Sequence, residues 1–260
     1  GNGAGTSAYS YTSSLAPGTL GDLDNDKDLD IIAPTGVLLN DGTGAYSRTQ
    51  LVDALPGGDA IGDMDGNGSL DVIDGGVTES RIYFNDGFGR VARISVFGVG
   101  ADNRSCLAIG DLNNDSALDV VGAGGTYFND SAGQLLDDIA PVAYGDHRQC
   151  ILGDVDSDSD LDLITLQQHE SAVLVVYFNN GAGGWSNSRL TSLPSSATVI
   201  AFGDLNNDDY SDIALGRAQN HDLIYLNDRN GNFHLSGAFG SGTDRSTHVM
   251  VGDIDGDGDL

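Results

Sequence analysis

Apolar residues occur along this chain in short runs, and no stretch sustains the 3.6-residue apolar spacing of an amphipathic helix. One kind of run ends in Gly-Asp, as in Ala60-Ile61-Gly62-Asp63, Ala108-Ile109-Gly110-Asp111 and Ala201-Phe202-Gly203-Asp204. A polar stretch follows, then a second run such as Asp119-Val120-Val121 or Leu161-Asp162-Leu163-Ile164. A third carries Arg81-Ile82-Tyr83-Phe84, Thr126-Tyr127-Phe128 or Val175-Val176-Tyr177-Phe178. It closes in Asn85-Asp86-Gly87-Phe88-Gly89 or Asn179-Asn180-Gly181-Ala182-Gly183, where glycine supplies the positive φ of a hairpin. A fourth run, Arg90 to Val96, completes the unit. The pattern predicts an all-β chain with almost no helix.

The polar stretch between the first and second runs is a nine-residue acidic loop. Short oxygen-bearing side chains stand at its positions 1, 3, 5 and 9. The first copy has Asp22, Asp24, Asp26 and Asp30, the second Asp63, Asp65, Asn67 and Asp71, and the third Asp111, Asn113, Asp115 and Asp119. Then come Asp154, Asp156, Asp158 and Asp162, followed by Asp204, Asn206, Asp208 and Asp212, and finally Asp253, Asp255 and Asp257. Position 7, which offers a backbone carbonyl, is held by Asp28, Ser69, Ala117, Asp160, Tyr210 and Asp259. Crowded hard oxygens of this kind suit Ca²⁺, about one ion per loop. An EF-hand needs a twelve-residue loop ending in Glu between helices, and these loops meet neither condition.

Successive loops start 41 to 50 residues apart. Four antiparallel strands in a repeat of that size make a β-propeller blade. A parallel β-helix would have shorter rungs and no such hairpin turn. The expectation is one propeller domain over residues 1–260, with five near-complete blades and one split blade. Gly1 to Gly5 aligns with the turn Asn40 to Gly44, so the chain opens at the end of a third strand, with Thr6 to Ser13 as a fourth. Further sequence or a neighbouring chain is expected to complete that blade, giving six or seven in the whole protein.

Composition supports the metal reading. Of 39 acidic residues all but Glu79 and Glu170 are Asp, a bias that solubility does not require. A net charge of −28 argues against nucleic acid or an anionic membrane as partner. No stretch is apolar enough for a transmembrane helix. Low-affinity calcium loops would fill in the millimolar calcium outside cells, so the expected location is extracellular, secreted or at the cell surface. Cys106 and Cys150 stand five and four residues before Asp111 and Asp154. That offset turns alternating strand side chains in opposite senses, which predicts free thiols over a bridge.

The unit, read through Gly62-Asp63 to Asp71 and on to Asn85-Asp86-Gly87-Phe88-Gly89, resembles the FG-GAP/VCBS repeat. That is the calcium-bearing blade of integrin alpha-subunit heads and of many secreted microbial proteins. The resemblance implies a propeller with calcium between the first and second strands of each blade. Function varies within that family, from adhesion and glycan binding to propellers of polysaccharide-degrading enzymes.

The face opposite the calcium loops offers Arg104, Asp146, His147, Arg148 and Arg245 before first strands, and His169, Glu170 and His221 in long second-to-third-strand loops. These charges either pair with one another or form a surface for acidic sugars or a protein carboxylate, with arginines as bidentate donors. No nucleophile elbow or zinc His pair is present. A base dyad of His147 or His169 with Glu170 is the remaining catalytic arrangement. Among Asn-x-Ser sequons, Asn103 and Asn129 are the two expected to be open to glycosylation. The expectation is a non-enzymatic, calcium-stabilised binding, adhesion or assembly module for a glycan or protein ligand, with possible self-association. The alternatives are the propeller of a secreted polysaccharide lyase or hydrolase, and a subunit that polymerises by sharing blade strands.

Overall fold

The computed structural model describes residues 19–33, 36–48, 58–76, 78–98, 106–122, 125–138, 147–168, 171–243, 245–258 and 260. They fall into two compact units, 1–144 and 145–260. The opening turn and the strand expected over Thr6 to Ser13 lie outside the described residues.

In the first unit one sheet is formed by β1 (Thr19–Gly21), β2 (Asp30–Ala33), β3 (Gly36–Asn40) and β4 (Tyr46–Arg48). The second holds β5 (Gly58–Gly62), β6 (Asp71–Gly75), β7 (Ser80–Asn85) and β8 (Val91–Phe97). The third holds β9 (Leu107–Gly110), β10 (Asp119–Gly122), β11 (Gly125–Asn129) and β12 (Leu135–Asp138). The second unit contains the sheet of β13 (His147–Gly153), β14 (Asp162–Gln168), β15 (Ala172–Asn179) and β16 (Trp185–Ser192). It also contains that of β17 (Ala197–Gly203), β18 (Asp212–Arg217), β19 (Asp222–Asn227) and β20 (Phe233–Phe239). Every sheet is an antiparallel meander in chain order, and the described residues contain no helix. The fold class is all-β, built of four-stranded propeller blades.

Burial explains which run became which strand. The second strand of the second sheet, Asp71-Val72-Ile73-Asp74-Gly75, is buried along its whole length. A strand covered on both faces tolerates a continuous β-branched run instead of alternation. The fourth strand β8 is mostly exposed, and its apolar residues Ile94 and Val96 face solvent.

The cores lie between consecutive sheets. Leu23, Ile32 and Val37 of the first sheet pack on Ile61, Val72 and Tyr83 of the second. Met64, Ile73, Ile82 and Phe84 meet Leu107, Ile109, Val120 and Tyr127 of the third, where Phe97 and Tyr127 pair edge to face at 5.2 Å. In the second unit Val155, Ile164, Leu174 and Phe178 meet Ile200, Leu215, Tyr225 and Phe233. Neighbouring first strands approach so closely that a Cβ on Gly62 would stand 2.6 Å from Leu118 and 2.8 Å from Ile109. That contact explains the glycine before the loop.

Two expectations are corrected. Both cysteines are disulfide-bonded, and no free thiol exists. The alternation argument failed because Cys106 precedes β9 and is not bound by its pleat. Asn129 is buried, with its amide hydrogen-bonded to Met64 O and Leu118 O, so it is closed to glycosylation. Asn103 lies outside the described residues.

Candidate metal centres

The acidic loops join the first and second strands of each sheet and share one hydrogen-bond pattern. The position-1 carboxylate accepts from backbone N–H groups further along the loop. Asp22 takes those of Asp26 (3.1 Å) and Lys27 (2.9 Å), and Asp63 those of Asn67 (3.0 Å) and Gly68 (2.8 Å). Asp111, Asp154, Asp204 and Asp253 do the same. The position-5 side chain then accepts the N–H of position 7, as in Asp26 to Asp28 (2.9 Å), Asn67 to Ser69 (2.7 Å) and Asp158 to Asp160 (3.0 Å).

Such tight curling requires left-handed backbone at positions 4 and 6. Asn25 and Lys27 have φ of 61° and 79°, Asn114 and Ser116 61° and 71°, and Asn207 and Asp209 58° and 70°. Asparagine, aspartate and glycine tolerate this region best. Small polar residues and glycine fill five of the six loops at both positions, so the curl has its own mark in the sequence.

Position 9 is the structural hinge. Asp30, Asp71, Asp119, Asp162 and Asp212 are all fully buried. Each uses both oxygens on backbone donors, one from position 2 of its loop and one from the residue ending the third strand. Asp71 accepts from Met64 N–H (2.9 Å) and Asn85 N–H (2.8 Å), and Asp162 from Val155 N–H (3.0 Å) and Asn179 N–H (2.9 Å). Burial dominates their titration despite those bonds, lifting Asp71 and Asp119 to about 6 and Asp162 to about 7. The carboxyls of Asp30 and Asp212 are raised for the same reason.

The aspartates at position 3 provide the test of fit. Asp24 Oδ1, Asp65 Oδ1 and Asp156 Oδ1 are buried with no hydrogen-bond partner. An orphaned buried carboxylate oxygen is costly unless something fills it. Burial, then the carboxylates beside them, push Asp24 and Asp156 upward. Asp22, Asp24 and Asp30 converge so that one oxygen from each lies within 4.8 Å of the others; so do Asp63, Asp65 and Asp71, Asp154, Asp156 and Asp162, and Asp253, Asp255 and Asp257. These donor sets fit a hard divalent cation. In the third and fifth loops Asn113 and Asn206 hold position 3, so those carboxylate triads do not form. Arg93 adds a cation beside the second site, 3.4 Å from Asp65 Oδ2, with its guanidinium over the Phe84 ring. Asp259 lies outside the described residues.

The opposite face is less organised. Arg104, Asp146, His169 and Glu170 lie outside the described residues, as does the His147 side chain. His221 Nδ1 bonds Gly240 O at 2.9 Å, and its carbonyl accepts from Arg217. Arg245 forms an isolated backbone bridge with Ala218, and Arg148 is exposed on β13. No described polar contact joins Arg148, His221 and Arg245.

Four-stranded meander blades with an acidic turn between the first and second strands define a class of repeat-built β-propellers. Residues 154–215 and 204–260 match the FG-GAP-like repeat, and the chain therefore carries FG-GAP-like repeats over 154–260. Among solved structures the chain is similar to a lectin of Agrocybe aegerita described for specific recognition of non-reducing terminal N-acetylglucosamine. The two share 20% identity at a TM-score of 0.64 over 86% of this chain and 65% of the lectin. The V. cholerae biofilm matrix protein Bap1 is 16% identical at a TM-score of 0.50, over 86% of this chain and 41% of that one. This chain thus spans less than two thirds of the length of either. No curated protein matches the sequence.

Proposed function

We propose that the protein is a calcium-stabilised β-propeller that works outside the cell as a binding module for a glycan or protein partner, without catalysing a reaction. The observation that carries the calcium assignment is the trio of orphaned, buried position-3 oxygens beside buried position-9 carboxylates. In the first loop Asp22, Asp24, Asp26 and Asp30 would hold the ion, and the carbonyl at Asp28 would assist. The same positions serve in the other loops, with Asn67, Asn113 and Asn206 offering neutral amide oxygens. The ion would neutralise carboxylates that otherwise repel one another in a poorly solvated turn.

Two features support the extracellular reading. Disulfide-bonded cysteines are at home in oxidising compartments, and calcium there is abundant. The binding reading is supported by the fold shared with a lectin and a matrix protein. Loop aspartates engaged by backbone donors and by an ion are not free for acid–base work, which favours a non-catalytic role. The face away from the calcium loops, with Arg148, His221 and Arg245, is the proposed partner surface. A glycan array probed with the calcium-loaded chain tests this. Saturable binding lost in Arg148→Ala or Arg245→Ala supports it, whereas turnover of an acidic polysaccharide without retained binding overturns it.

A further inference from the structure

The first, second and fourth acidic loops are each tied to the following blade through the main chain of a single residue. The position-2 N–H donates to the position-9 carboxylate of its own loop. The carbonyl of that same residue accepts from the asparagine ending the third strand of the next sheet. Asn85 Nδ2 donates to Leu23 O at 2.5 Å, Asn129 Nδ2 to Met64 O at 2.7 Å, and Asn227 Nδ2 to Val155 O at 2.8 Å. These amides are buried, so water does not stand in for a lost bond.

The same asparagines serve their own loops. The main-chain N–H of Asn85 goes to Asp71 Oδ1 and that of Asn129 to Asp119 Oδ1. Their Nδ2 groups also donate to Leu70 O and Leu118 O at 3.1 Å. Hydrogen bonds therefore run unbroken from Asp30 through Leu23 and Asn85 to Asp71, and on through Met64 and Asn129 to Asp119. In the second unit they run from Asp162 through Val155 and Asn227 to Asp212.

We propose that Asn85, Asn129 and Asn227 are positioning residues for the metal site of the preceding blade as well as for their own, so that ion binding is coupled from loop to loop. This rests on the calcium reading above. A ligand carboxylate is held in place by its own hydrogen-bond partners, and losing such a partner typically weakens metal affinity about 10–100-fold. At position 9 one partner is the position-2 N–H and the other is the asparagine main chain. An ion fixing Asp71 fixes Asn85, whose amide fixes the Leu23 main chain through its carbonyl and thereby Asp30 through its N–H. The loop is the element that responds, since clustered carboxylates repel one another without a cation and are drawn together by one. Coupling of this kind is reciprocal between neighbouring sites.

The first blade supplies a control. Asn40 Nδ2 reaches only Leu29 O of its own blade among the described residues, at 3.3 Å. Calcium titration by calorimetry on the full chain, with CaCl2 alone as ligand, compares the wild type with Asn40→Leu, Asn85→Leu and Asn85→Ser. The expected result is one site weakened about tenfold by Asn40→Leu and two by either Asn85 variant, with the same number of ions at saturation. Asn85 variants that weaken one site alone overturn the coupling and leave the calcium reading intact. Absence of calcium binding in the wild type overturns both. A measurement on the wild type guards against misfolded variants: amide exchange at Leu23 and Met64, followed through the calcium titration. Protection rising at one shared concentration supports the proposal, and separate midpoints contradict it.

Discussion

The loops at Asp63 and Asp253 share an acidic pattern but have different surroundings. In both, the position-1 carboxylate gathers backbone N–H groups and positions 4 and 6 are left-handed. In the first, Met64 at position 2 is 1% exposed within an inter-sheet core and Asp71 is buried. In the second, Ile254 at the same position is 99% exposed, and the three aspartates are solvated. Titration differs by position: burial raises Asp71 at position 9, while the N–H groups of Gly258 and Gly256 hold Asp253 at position 1 below the ordinary carboxylate range. The turn is thus encoded locally, since it forms in both settings, and in the loop at Asp63 it is seated in an inter-sheet core through Met64.

The largest effect that would sharpen this contrast is metal removal. An ion bound only by the folded state at a hundred times its Kd adds about 2.7 kcal/mol, and several sites act together. Excess chelator should lower the Tm by more than about 10 °C. Mg²⁺ should restore little, because it demands a tighter octahedral shell. An unchanged melting curve would remove calcium from the account.

Next in size is the position-9 carboxylate. Asp119→Ala strands the N–H groups of Leu112 and Asn129, at about 1–3 kcal/mol for each unsatisfied buried donor. Asp253→Ala, at an exposed position 1, should change stability far less. Equal losses in urea denaturation would erase the distinction.

The pH dependence in chelator is a smaller effect with a definite sign. Asp71, Asp119 and Asp162 have folded values of about 6, 6 and 7, above the roughly 3.9 of an unfolded aspartate. Groups raised in this way contribute stability at low pH that is lost as pH rises through 6 to 7. The chelated protein should therefore melt lower at pH 8 than at pH 5, and saturating calcium should abolish or reverse that slope. The smallest effect is expected from Asn113→Asp, which gives the third loop the carboxylate set of the first and fourth and should tighten calcium there a few-fold in calorimetry.

Much of this was legible in the sequence. The Gly-Asp at the start of each loop, the continuous apolar second run and the Asn-Asp-Gly turn mark strand limits to within a residue or two, because each is a local demand of sterics or burial. The register of oxygen-bearing residues at positions 1, 3, 5 and 9 was equally plain. The double duty of Asp71 and the clasp from Asn85 to Leu23 were not, since those partners lie 14 and 62 residues apart in the chain. A signal was nonetheless present: asparagine ends the third strand in all five sheets, where a turn alone would have accepted aspartate. Cys106 shows the opposite failure, in which strand alternation was applied to a residue outside any strand.

The most direct measurement of the central claim is the number of calcium ions retained by the full chain in equilibrium dialysis against millimolar calcium, read by atomic emission. Five loops have a buried position-9 aspartate, so the account predicts about five retained ions. Retention of none would contradict it.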